Sequence, residues 1–91
     1  MSSLSLSREE FAGADAASAT EAWRRGHDRG LAEGRQAGRE DRQHNAGWDL
    51  EGQRELEGAD SGYQNSFGRR EDYQAGYREG FRKGYREGYG R

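Results

Sequence analysis

His27 and His44 are the only imidazoles in the 91-residue chain, and there is no cysteine. Metal sites, thiol nucleophiles and disulfides need those residue types at close spacings. Neither histidine belongs to an HxxxH or HExxH run, so no metal ligation is expected and both are read as facing solvent. Aspartate and glutamate total 17, enough for carboxylate pairs to arise by chance, and acid–base chemistry also needs a pocket to desolvate one of them. The glycines stand in GxxxG, not in the GxGxxG or GxxxxGKS/T loops that cradle phosphate. The expectation is therefore a non-enzymatic protein without catalytic residue, metal or cofactor.

Fourteen arginines against one lysine, interleaved with tyrosine and glycine, form the vocabulary of arginine-rich RNA-binding segments. A formal net charge of −2 weighs against a nucleic-acid partner, and the arginines are read chiefly as a solvated row. Charge is unevenly placed. Residues 40–60 hold 2 basic and 7 acidic groups, whereas residues 69–91 hold 7 and 4, so the two segments should attract each other.

The elements that would position these groups are helices. Valine and isoleucine are absent and Thr20 is the only other β-branched residue, which leaves a sheet little to build from. Five leucines and three phenylalanines are too few for a conventional core, and disorder is a competing expectation for such a composition. No run approaches the roughly 18 apolar residues of a membrane span, and the first residues lack a signal-peptide pattern. A cytoplasmic chain is expected, with secretion left open where a signal peptide has been removed.

Fifteen glycines without a proline organise what remains. Gly26, Gly30, Gly34 and Gly38 form one GxxxG array, and Gly76, Gly80, Gly84 and Gly88 form a second, offset by 50 residues. At that offset Trp23 aligns with Tyr73, His27 with Tyr77 and Leu31 with Phe81, as in an internal duplication. A period of four is close to the helical 3.6 and drifts about 40° per repeat. Each mid-helix glycine costs about 0.8–1 kcal/mol against alanine, so the arrays must be offset by close approach of a second helix. The glycine row predicts a right-handed crossing of about −40° to −50°. Beside the second row, Tyr73, Tyr77, Phe81, Tyr85 and Tyr89 form an aromatic stripe at i, i+4 spacing. Arg78, Arg82 and Arg86 lie three residues before stripe members, within reach of cation–π contact. The expected packing interface is thus the eight array glycines with Trp23, Leu31 and the five-residue stripe.

The fold class expected is all-α: a helical hairpin or small bundle with close-packed GxxxG faces and partly disordered termini. Residues 1–6 are read as a flexible N-terminus. A helical segment, continuous or broken once, spans 7–43, with a capping box at Ser7–Glu10. Residues 44–68 form an acidic connector with a stop at Asn45-Ala46-Gly47, a short helix over 48–57 and a turn at Asp60-Ser61-Gly62. A last helix covers 69–91. Packing of the glycine faces within one chain or between chains stays open, as does parallel or antiparallel order.

The run Tyr77-Arg-Glu-Gly80-Phe81-Arg-Lys-Gly84-Tyr85-Arg-Glu-Gly88 resembles the GxxxG-repeat helix of flagellar and type III secretion ATPase regulators of the FliH kind, and that resemblance implies dimerisation through the repeat helices. Residues 22–41 also resemble the deca-GX3 adaptors of cytosolic iron–sulfur protein maturation, whose repeats are unbroken where these fall into two groups of four. The whole chain is similar to small bacterial proteins rich in Gly-Tyr-Arg repeats, a resemblance that implies no activity. The functional expectation is a self-associating structural protein, forming homo-oligomers or filaments. The alternatives are a helical adaptor folding on a larger protein complex and an Arg/Tyr-rich RNA-binding segment. No membrane partner is expected.

Overall fold

The computed structural model describes the backbone of residues 2–91 and the side chains of residues 19–91. Helix α1 spans Ser2–Gln43, α2 is a single turn at Glu55–Gly58, a 3₁₀ turn covers Asn65–Phe67, and α3 spans Arg70–Tyr89. Strands are absent among the described residues, and no helix there is long and apolar enough to cross a membrane. The all-α class is as expected. Residues 1–6 and the capping box at Ser7–Glu10 lie outside the described side chains. Of the two forms expected for the segment 7–43, continuous or broken once, the backbone takes the continuous one.

The terminators work by backbone geometry. Asn45 takes a left-handed conformation (φ 57°), with Ala46 N–H bonding Asp41 C=O at 2.8 Å and Asn45 N–H bonding Arg42 C=O at 3.3 Å. That pair of bonds is a Schellman closure, with asparagine where glycine is usual. Gly62 (φ 78°) occupies the third position of the Asp60–Tyr63 turn, which is closed by Tyr63 N–H to Asp60 C=O at 2.9 Å. A side chain there would be strained. Glu71 and Asp72 fall in the first turn of α3, where the helix dipole favours carboxylates.

The expected helix over 48–57 is corrected: Leu50–Gly52 is a turn, and only Glu55–Gly58 is helical. Glycines at 47, 52, 58 and 62 interrupt the segment before a second turn can form.

α1 and α3 pack against each other along the whole of both glycine arrays. A Cβ built on Gly26, Gly30, Gly34 or Gly38 would come closer than 3.0 Å to the carbonyl oxygen of Tyr73, Tyr77, Phe81 or Tyr85, respectively. On α3, a Cβ on Gly76, Gly80, Gly84 or Gly88 would meet the carbonyl oxygens of Trp23, His27, Leu31 and Arg35 in the same way. Each glycine Cα therefore rests on backbone of the other helix, the arrangement in which Cα–H···O contacts form.

Residue numbers rise together along these contacts, so the two arms are parallel. Adding 50 to one set of contacts produces the other: Gly26 on Tyr73 becomes Gly76 on Trp23. The pair has a two-fold pseudo-axis running along it, and the duplication noted in the sequence is the relation between its arms. A four-residue repeat exceeds 3.6, so rows that stay face to face over four repeats must wind around each other with right-handed sense.

Parallel order obliges residues 44–69 to return along the rod. From Gln43 back to the level of Arg70 the distance is about 20 residues of helix, or about 30 Å. The connector makes this passage over one side of the helix pair, laying Leu50, Leu56 and Ala59 in the core with Tyr73, Tyr77, Phe81 and Tyr85, while Trp48, Tyr63 and Phe67 pack on them half-buried.

Candidate functional site

The interface glycines are buried between α1 and α3, except Gly88, which is half-buried. Tyr73, Tyr77, Phe81 and Tyr85 are at most 1% exposed, and Tyr89 is half-buried at the end of the stripe. Trp23 and Leu31 are not brought to this stripe. They occupy the pseudo-equivalent row on α1, on the opposite side of the pair.

The side under the connector is closed and polar-satisfied. Tyr77 OH donates to Glu33 Oε1, and Tyr73 OH to the Ser61 carbonyl. Tyr85 OH donates to Asp41 Oδ2 at 2.5 Å and accepts from the Asp49 N–H at 3.0 Å. Trp48 sets its edge against Tyr85 and Tyr89, with centroids 4.9 and 5.4 Å apart. Acidic connector and basic α3 attract as expected, through Asp60–Arg70 at 2.6 Å and Glu51–Arg82 at 3.2 Å. These pairs are exposed and contribute about 0–1 kcal/mol each.

Two expectations about arginine are corrected. Arg78 is not free in solvent, since its guanidinium donates to the carbonyls of Leu56 and Glu57, both at 3.1 Å. The cation–π partners are Arg25 over Phe67, Arg42 over Tyr89, Arg70 over Tyr63 and Arg91 over Trp48, at 4.3–5.2 Å. Arg78, Arg82 and Arg86 take part in none of these, and of the stripe only Tyr89 receives a cation among the described residues, from Arg42 of α1.

Glu33 joins the arms to the connector. Its carboxylate accepts from Tyr77 OH, from Ser61 Oγ at 2.8 Å and from Arg29 Nε at 2.6 Å. Burial acts to raise this carboxyl, but the bonds from Tyr77, Ser61 and Arg29 outweigh it and hold Glu33 below the usual carboxylate range. A depressed native value contributes stability above the unfolded value of 4.5 that is lost as pH falls through the lower native value. Glu33→Gln is expected to cost about 1–3 kcal/mol at neutral pH and to flatten the acid limb, which urea titrations from about pH 3 to pH 7 would read.

The pseudo-equivalent groove on the other side has no cover among the described residues. Its α1 wall is Trp23, His27, Leu31, Arg35 and Arg39, and its α3 wall is Ala75, Glu79, Lys83 and Glu87. Trp23 and His27 stack at 4.9 Å with an interplanar angle of 21°. His27, expected in solvent, is 19% exposed in its side chain, whereas His44 is exposed as expected. Leu31 is half-buried, and Arg35 spans the groove to Glu87 at 2.8 Å. A hollow of about 850 Å³ lies here against His27, Ala75, Arg78, Glu79, Arg82, Lys83 and Arg86.

Sequence reasoning missed the α3 wall of this groove because Lys83 and Arg86 read as solvated charge. The signal was the fifty-residue alignment, which pairs His27 with Tyr77 and so places the α1 row on a groove of its own. Among the described residues no group of three or more His, Cys, Asp or Glu could hold a metal ion, and no buried side-chain N or O lacks a hydrogen bond.

The class defined by this geometry is an all-α parallel helix pair, sealed by glycine on backbone and covered on one side by its own connector. Set against known protein families, curated proteins and solved structures, the chain matches none of them.

Proposed function

We propose that the protein is a non-enzymatic interaction module, a short helical rod that adapts to a partner protein through the groove lined by Trp23, His27 and Leu31. The observation that carries this reading is the unequal cover of two pseudo-equivalent grooves. One is filled by the connector with Leu50, Leu56 and Trp48. The other leaves Trp23 and Leu31 half-exposed, with Trp23 stacked on His27 at the edge of a hollow lined by cations. Apolar side chains left part-exposed beside a polar hollow are a common mark of a protein contact.

A photo-crosslinking residue at Leu31 tests the reading against one at Ala32, which is exposed on the side of α1 turned away from α3. The Leu31 probe should capture in cells one protein that the Ala32 probe does not. That protein, once purified, should bind the folded chain. Equal capture from both positions, or none from Leu31, would sink the proposal.

A second reading, self-association, is favoured by the pseudo-two-fold. Because α1 and α3 present interchangeable glycine faces, α3 of one copy can zip onto α1 of another with the same contacts. Light scattering across concentration distinguishes the two. A mass of two or more chains at full helicity supports exchange between copies, and a monomer mass at all concentrations removes it.

A further inference from the structure

Resting on the interaction reading above, we infer that the partner segment is acidic and carries apolar anchors: a short extended peptide whose aromatic or leucine side chains seat on Trp23 and Leu31 while its carboxylates face Lys83 and Arg86.

Three observations converge on this chemistry. The first is charge. The hollow beside His27 carries Arg78, Arg82, Lys83 and Arg86 against the single carboxylate of Glu79. Arg78 is engaged with connector carbonyls and Arg82 with Glu51. Lys83 and Arg86 form no ion pair among the described residues and are exposed, so two cations remain to receive carboxylates.

The second is apolar surface beside the hollow, where Trp23 stacks on His27 of its lining and Leu31 follows His27 one turn on in the same α1 row. Trp23 and Leu31 are half-buried with no apolar cover from the connector, so a purely electrostatic ligand would leave them wet. The third is an internal precedent. The segment this chain lays over the related groove is itself acidic and non-helical for most of its length, with Asp60 on Arg70, Glu51 on Arg82, and Leu50 and Leu56 buried beneath. The same arginine row that receives this segment on one edge borders the open groove on the other. A single-stranded nucleic acid would match the same cations, but the segment that covers the related groove is a polypeptide that brings leucines as well as carboxylates, and a nucleic acid has no aliphatic side chains to set on Leu31.

The test is selection from a displayed library of random peptides of about ten residues, long enough at about 3.3 Å each to run beside Trp23 through Arg39. The selected peptides should be rich in Asp and Glu with at least one aromatic residue or leucine. Lys83→Glu with Arg86→Glu should weaken them about tenfold while circular dichroism stays unchanged. Leu31→Ala should weaken them by a smaller factor without removing the acidic preference. Peptides that are basic or uncharged, or that bind the double variant equally well, would overturn the acidic assignment. So would tighter binding of an oligouridine of about ten nucleotides, which would make the groove a nucleic-acid surface. Basic or uncharged selected peptides that still compete with the Leu31 crosslink would leave the interaction reading standing. Loss of that crosslink together with failure of the library would remove both.

Discussion

Gly80→Leu is expected to abolish the folded helix pair, and Gly80→Ala to destabilise it in spite of a better helix former. Intrinsic propensity favours alanine by about 0.8–1 kcal/mol, so the sign of the change is diagnostic. A Cβ at Gly80 would lie within 3.0 Å of the His27 carbonyl carbon and Cα, and closer still to its oxygen. These are backbone atoms that no side-chain rotation can move. Relief requires the arms to part by on the order of 1 Å, and a gap of that size forfeits about a quarter to a half of each dispersion contact along the zipper. Overpacking of this kind costs about 1–3 kcal/mol or more, against a total of about 5–15 kcal/mol for an ordinary domain. The leucine variant exceeds what so small a core can absorb. Gly47→Ala is the matched control, with nothing within 4 Å of its Cβ, and it should shift stability by no more than about 0.5 kcal/mol. Thermal melts followed at the helical band decide the matter. A Gly80→Leu chain melting cooperatively at the wild-type temperature would show that the arms do not meet at glycine.

The second large effect is alkaline unfolding beginning near pH 10. Burial pushes the Tyr73, Tyr77 and Tyr85 hydroxyls above the ordinary 10.0, and Glu33 at Tyr77 and Asp41 at Tyr85 push the same way. A phenol whose native value is raised contributes stability that is fully present below the unfolded value and is lost as pH rises toward the native one. Above pH 10 the unfolded chain releases three protons that the native chain keeps. The slope then approaches about 1.4 kcal/mol per pH unit for each tyrosine, or about 4 kcal/mol for three. Against about 5–15 kcal/mol for an ordinary domain, this loss removes a large share of the stability within the first pH units above 10. Tyr77→Phe should remove about a third of that slope, measured by urea titration from about pH 8 to pH 11. An unchanged slope would mean that Tyr77 ionises in the native state.

The glycine spacing made the helices and their contact face legible, because a four-residue row of residues without Cβ has no use on an isolated helix. It did not disclose direction, since a glycine groove accepts backbone running either way. Nor did the fifty-residue offset: two copies that bury equivalent faces run parallel when their two-fold lies along the pair and antiparallel when it crosses the pair, and only the rising contacts from Gly26 on Tyr73 to Gly38 on Tyr85 decide between them. The connector was legible as acidic and as broken at Asn45 and Gly62. Its role as a lid was not, for Trp48, Leu50, Leu56, Tyr63 and Phe67 follow no period, and irregular cover leaves none. The candidate groove was half visible. Trp23 and Leu31 stood out as apolar, but Lys83 and Arg86 become its opposite wall only once α3 lies beside α1 in register.

Parallel order also decides how the molecule carries load. Residue 19 lies near the end of the rod where α3 begins, and Arg91 lies at the other end, over Trp48. Tension applied between those two points slides α1 along α3 and strains all eight glycine rungs at once, in shear. In an antiparallel hairpin the free ends would sit together, and the same tension would peel the rungs apart one after another. The direction of the chain through its connector thus turns a small tyrosine-rich core into a tie resistant along its axis, with forced unfolding governed by the barrier to breaking every rung together.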